Sequence, residues 1–167
     1  MPQQPDRRDE VDDLLDAWAR ERADLDLTPV AIFSRITRLG RHLDLARRDA
    51  FAAHEVESWE FDVLAALRRA GAPYELSPGR LLRETLVTSG TMTNRIDRLE
   101  ARQLVTRRPD PNDRRGVLVR LTKAGKTAVD GAFEALVKAE KEWLGDLPEA
   151  DRDRLAGLLR ALLRPFS

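Results

Sequence analysis

The sequence predicts a mainly α-helical protein with one small β-hairpin. Three observations carry that expectation. Apolar residues recur at helical spacing along most of the chain; the period changes to short, β-branched alternation only within residues 104–121; and a polar, turn-rich loop splits that stretch. The 167 residues suit one domain. A chain that is 42% hydrophobic and 35% charged can bury a core. The absence of cysteine excludes disulfides, thiolate metal sites and a Cys nucleophile. His42 and His54 alone leave little for a zinc site, so neither a metal nor a cofactor is expected.

The elements follow in order. Residues 1–10 read as a fraying start. Val11, Leu14, Leu15 and Trp18 place a first helix over about 10–25. Thr28 with Pro29 at the first helical position opens a second, to about residue 53, striped by Ile32, Ile36, Leu39, Leu43, Ala46 and Ala50. A third, about 57–70, carries Phe61, Leu64 and Leu67 and ends at Gly71. Ser77-Pro78 opens a short fourth through about Glu84, and Thr88 caps a fifth over about 89–102. Residues 104–108 and 116–121 then read as the two strands of a hairpin, with a flexible tip at 109–115. Thr122 caps a long helix ending near Gly145, and Pro148 begins a last one.

Helix, short helix, turn, helix and basic hairpin is the winged helix-turn-helix order. The expected organisation is a single domain over 1–167. Its DNA-binding lobe is 57–122, and helices within 1–53 and 127–167 form an N- and C-terminal dimerisation region. The outer helices have apolar faces with nothing of their own to cover them, and a two-fold dimer would supply the cover.

Charge points the same way once it is divided along the chain. The net charge is zero, but residues 80–126 hold 12 basic and 5 acidic groups, whereas residues 1–27 hold 4 and 9. A contiguous basic segment is the footprint of an anionic partner. On the fifth helix, Ile96, Leu99 and Gln103 fall within about 40° of Met92 and form the expected buried stripe. The opposite face offers Ser89, Gly90, Thr91 and Asn94, with Arg98 behind. Small residues let a helix seat in the major groove, free N–H groups face phosphate, Asn reads adenine, and Arg reads guanine or holds phosphate. Arg107, Arg108, Arg114 and Arg115 on one ribbon suit a wing that tracks the backbone with a tip Arg in the minor groove. The predicted DNA-binding residues are therefore Ser89, Thr91, Asn94, Arg98, Arg114 and Arg115.

The stretch Asp113-Arg114-Arg115-Gly116-Val117-Leu118-Val119-Arg120-Leu121-Thr122-Lys123-Ala124-Gly125 resembles the wing signature of the MarR family of bacterial transcriptional regulators, Asp-x-Arg followed by a strand and Leu-Thr-x-x-Gly. Ser89 to Arg95 resembles its recognition helix. The resemblance implies a homodimer on palindromic double-stranded operator DNA, usually a repressor, with affinity lowered by a small ligand. It also makes Arg115 the minor-groove residue and Asp113 its structural partner. A narrower resemblance, to the urate-responsive branch with an extra N-terminal helix, implies a ligand site at Trp18, Asp62, Arg95 and Arg107. The wheel puts Arg95 about 60° from Met92, between core and DNA face, where it could pair with Asp62. An anion such as urate or a tricarboxylate would break that pair and move the helix. Trp59 and Trp143 are expected to be packing residues.

Two other classes of protein fit the sequence less well. A winged-helix protein-interaction module without DNA binding would not need Arg114 and Arg115 at the tip and small residues at 89–91. An enzyme would need a Gly-rich phosphate loop, a Ser-His-Asp set or metal spacing, and none is evident; Glu60 and Asp62 do not share a helix face. No apolar run approaches the ~18 residues of a membrane span, and the first residues lack an apolar signal core. The expected setting is soluble and cytoplasmic, with no membrane partner.

Overall fold

A computed structural model describes residues 8–85, 87–145 and 147–166, except for the side chain of Arg114. Seven α-helices and three strands are found among them: α1 Glu10–Glu21, α2 Thr28–Ala52, α3 Ser58–Arg69, β1 Glu75–Leu76, α4 Pro78–Thr85, α5 Ser89–Ala101, β2 Val105–Asp110, β3 Asp113–Leu121, α6 Lys123–Leu144 and α7 Glu149–Leu163. The fold is mainly helical with a small antiparallel sheet in the order β1-β3-β2. No helix among the described residues is long and apolar enough to cross a membrane.

The chain divides into two units, residues 1–45 and 46–167, with the boundary inside α2. In the first unit Asp9 caps α1, accepting the N–H groups of Val11 at 2.8 Å and Asp12 at 3.2 Å. Arg35 of α2 grips that cap, reaching Asp9 at 2.8 Å and Asp12 at 2.7 Å, while Arg38 pairs with Glu10 at 2.6 Å. The expected fraying start is partly outside the described residues, which begin at residue 8, and Glu10 already opens the helix. The first helix stops at Glu21 and not at about 25, because the Arg22 N–H closes on Trp18 and the chain turns.

The second unit holds the core. Phe51 of α2 stacks on Phe61 of α3 at 4.2 Å, and Leu64, Leu67, Leu81, Met92, Ile96, Leu99, Val105, Val119 and Val129 complete one cluster. Gln103 departs from the expected stripe. It lies beyond the end of α5, exposed and with φ 58°, and Leu104 takes the buried place.

Two further departures concern the sheet. The expected hairpin strands extend into the supposed loop, to Asp110 on one side and Asp113 on the other, pairing through Pro109 with Val117. Strand β1 was not expected. It pairs Glu75 with Arg120 and Leu76 with Val119 and so fixes the hairpin's base to the helical core.

The joint between hairpin and α6 explains the Leu-Thr-x-x-Gly spacing. Thr122 Oγ1 accepts the Gly125 N–H at 2.9 Å and donates to the Gln103 carbonyl at 2.8 Å. A Cβ on Gly125 would stand 2.0 Å from the Leu104 carbonyl oxygen, so only glycine fits.

Candidate nucleic-acid interface and effector site

Helix α5 starts at a Thr88 cap whose oxygen meets the Thr91 N–H at 3.4 Å and the Thr91 hydroxyl at 2.9 Å. Ser89, Gly90, Thr91 and Asn94 are all exposed. A Cβ on Gly90 would meet nothing within 4 Å. Its glycine is therefore unexplained by packing inside the chain, and a close approach from outside would explain it.

The hairpin tip is ordered by two carboxylates. Asp110 accepts the Asn112 N–H at 2.8 Å and Asp113 accepts the Arg115 N–H at 2.9 Å. Gly116 lets them crowd, since a Cβ there would be 3.0 Å from the Cβ of each. Arg115 projects exposed from this tip, its side chain in no hydrogen bond or ion pair among the described residues. The Arg114 side chain lies outside the described residues.

Three sets of charged contacts hold α5. At its C-terminal end Arg102 binds the buried carboxylate of Glu60, which is 1% exposed, and donates to the Glu55 carbonyl at 2.7 Å. On the α3 side Arg98 lies 4.5 Å from the Trp59 ring centre and pairs with Glu57 at 3.1 Å; Trp59 Nε1 donates to the same Glu57 at 2.6 Å. On the wing side Arg107 of β2 binds both Asp97 and Glu100 of α5. Partial burial lowers the Arg107 pKa, but these two carboxylates outweigh it and hold the guanidinium above its ordinary value. Arg108 meets Glu75 of β1 at 2.6 Å, tying the hairpin base across the sheet.

These contacts revise several expectations. Arg98 is exposed, as a DNA contact requires, but its guanidinium is engaged by Trp59 and Glu57. Trp59 is more than packing, because it is the platform for two cations: Arg95 lies over the same ring at 5.6 Å. The expected Arg95–Asp62 pair is not formed. The Asp62 side chain is exposed and makes no hydrogen bond or ion pair among the described residues. Trp59, one helical turn before Asp62, takes the guanidinium instead. Arg95 Nη1 is left buried without a hydrogen-bond partner. Trp18 belongs to the first unit and is half exposed; Asp62, Arg95 and Arg107 belong to the second. Among the described residues no hydrogen bond or ion pair joins any two of these four.

Sequence reasoning missed Glu57, Glu60 and Arg102. The signal available was Glu57-x-Trp59-Glu60 opening a helix, with Arg98 and Arg102 four apart on another.

Comparison with known proteins places this arrangement. The family model described as MarR family matches residues 54–116. The transcriptional regulator PecS of Dickeya dadantii is 35% identical over 150 residues, 90% of either chain. This chain belongs to the MarR family. Among solved structures, a mutant Escherichia coli MarR complexed with operator DNA has a TM-score of 0.68 at 27% identity, covering 83% of this chain and 99% of that one. Bordetella bronchiseptica BpsR, described by the regulation of its DNA binding by 6-hydroxynicotinic acid, has a TM-score of 0.66 at 27% identity, covering 78% of this chain and 91% of that one. The chain is therefore a winged helix-turn-helix transcriptional regulator.

Proposed function

We propose that this MarR-family regulator is a homodimeric repressor that binds palindromic operator DNA and is released by a small anion. The observation that carries DNA binding is the pairing, in one lobe, of the exposed Ser89–Asn94 face of α5 with a wing whose tip presents Arg115. Asn94 reads a base edge, Ser89 and Thr91 meet backbone near the helix N-terminus, and Arg114 and Arg115 serve the wing. Arg98 positions the helix from its seat on Trp59. The chain acts as a regulator and not as an enzyme.

Dimerisation is supported by uncovered apolar faces. Ile32, Phe33, Ile36 and Leu39 of α2, Phe133 and Val137 of α6, and Leu155, Leu158, Leu162 and Leu163 of α7 are all exposed in the single chain. A second copy would bury them.

Release by an anion rests on Arg95 and Arg107. The buried Arg95 Nη1 lacks a partner, which is costly until one arrives. Arg107 is shared with Asp97 and Glu100 of α5. An anion at Arg95 would satisfy the first, and an anion at Arg107 would compete with its carboxylates and loosen α5 from the wing. Asp62 completes the ligand site, with urate or a tricarboxylate as the ligand class. The relation to BpsR makes a small-molecule effector the natural expectation.

The test is fluorescence anisotropy on operator DNA from the regulator's own gene neighbourhood, repeated with scrambled DNA over a range of salt. Tight, salt-dependent binding preferring the operator supports the reading. Equal binding to both sequences, or none, favours a protein-interaction module.

A further inference from the structure

Arg98 follows Asn94 by four residues on α5, which places it about 6 Å further along the axis and about 40° round the helix, on the same exposed face. Its guanidinium is nevertheless engaged inside the chain. Nη2 donates to Glu57 Oε1 at 3.1 Å, and the cation lies 4.5 Å from the centre of the Trp59 ring. We propose that Glu57 sets operator affinity by competing with a DNA phosphate for Arg98. The inference rests on the reading that α5 turns its Ser89–Asn94 face to DNA.

The Arg98–Glu57 contact has the features of an exchangeable one. It is a single hydrogen bond, not the paired fork that an arginine and a carboxylate can form. The two side chains are 53% and 59% exposed, where water weakens an ion pair. Nε and Nη1 of Arg98 make no hydrogen bond among the described residues, so donors are left over. A phosphate can take two of them at once. Arg102, one turn further on, has no such freedom, because its partner Glu60 is buried and it also holds the Glu55 carbonyl at 2.7 Å.

Trp59 and Glu57 keep their places through the exchange. The ring attracts the charge and not any one N–H, so the donors can turn to a new acceptor while the cation stays over Trp59. The second Glu57 oxygen accepts Trp59 Nε1 at 2.6 Å, which fixes the carboxylate. Losing Arg98 therefore strands a negative charge beside the helix face that DNA approaches. That charge repels the phosphate backbone and attracts Arg98 back. Glu57 thus holds operator affinity below what the same helix would reach without it.

The experiment is fluorescence anisotropy of the full chain on operator and scrambled DNA across a salt series, for the wild type, Glu57→Gln, Arg98→Gln and the double variant. Both positions are exposed, and glutamine at 57 keeps an oxygen for Trp59 Nε1, so the fold is retained; urea unfolding checks this. Glu57→Gln should tighten operator binding about threefold, the scale of one exposed ion pair. Arg98→Gln should weaken binding about tenfold on both sequences and lower the slope of log affinity against log salt by about one. On the Arg98→Gln background, Glu57→Gln should change affinity by less than about twofold. An equal gain in both backgrounds makes Glu57 a general negative charge and overturns the competition. Weaker or unchanged binding by Glu57→Gln overturns it as well, and an Arg98→Gln defect confined to the operator makes Arg98 a base contact and overturns the phosphate. No operator binding by the wild type overturns the reading of α5 and this inference with it; operator binding with an additive cycle overturns this inference alone.

Discussion

The Glu60 carboxylate accepts both the Arg102 guanidinium, 42 residues away, and the Glu57 N–H at 2.9 Å, so one buried oxygen starts α3 and anchors the end of α5. Removing Arg102 leaves a buried carboxylate without its cation, whereas removing Glu60 leaves a guanidinium that is itself partly exposed to water. Glu60→Gln should cost about 1–3 kcal/mol in urea unfolding, the range for hydrogen bonds to charged groups. A double-mutant cycle with Arg102→Gln should return a coupling above about 0.5 kcal/mol. Simple additivity would mean that the two side chains stabilise the protein independently.

Asp9 makes the N-terminal unit sensitive to acid. Arg35 beside it holds its carboxyl below the ordinary 3.8, at about 2. A depressed carboxyl stabilises the folded form above its unfolded pKa and loses that contribution as pH falls through the folded one. The loss should therefore fall between about pH 4 and pH 2, and Asp9 should titrate near the bottom of that window by NMR. Titration at an ordinary value would show that Arg35 does not hold the cap in solution.

Gly125→Ala should destabilise by at least about 3 kcal/mol, the upper end of overpacking costs, because the new Cβ meets the Leu104 backbone oxygen. Gly131→Ala is the contrast. Its Cβ would meet the His54 ring at 2.7 Å, and a side chain can turn aside, so about 1 kcal/mol is expected. Chemical unfolding of the two variants should rank them in that order.

Gly90→Ala separates stability from function. Nothing in the chain opposes the added methyl, and replacing a helical glycine should stabilise α5 by about 0.5–1 kcal/mol. Operator binding should nevertheless weaken if, as proposed, α5 seats its N-terminal backbone against DNA. A variant that is more stable and binds equally well would move the interface away from Gly90.

Arg115→Ala should weaken operator binding by about 1–3 kcal/mol without changing the circular dichroism spectrum. Asn94→Ala should relax sequence preference instead. Equal weakening on every sequence would make Asn94 a phosphate contact.

Much of this architecture was legible in the sequence because its signals are local. Thr88, Thr122 and the Thr28-Pro29 pair mark helix starts, and Gly125 was recognised through its motif before the Leu104 carbonyl gave the reason. Strand β1 was not legible, since the two residues Glu75–Leu76 are too few to show a period. The extended hairpin was hidden by Pro109 and Pro111, which read as loop although Pro109 keeps its place opposite Val117. The candidate site was legible in its residue types and only partly in its pairings. A helical wheel gives the direction of Arg95 but not its neighbour, and Trp59 and Asp62 lie one turn apart on α3. Glu60 was passed over for a similar reason: a charge at the start of a helix reads as solvated until Arg102, far along the chain, is brought onto it.

Anion and operator should compete through Arg95 and Arg107, and reciprocal titration measures that competition directly. Urate and citrate are each titrated into the free protein and into the operator complex, and operator DNA is titrated with and without saturating anion. At least one anion should bind the free protein more tightly, operator affinity should fall by the same factor, and Arg95→Ala and Arg107→Ala should each abolish the difference. Equal anion affinity for the free and DNA-bound forms, however tight, would contradict it.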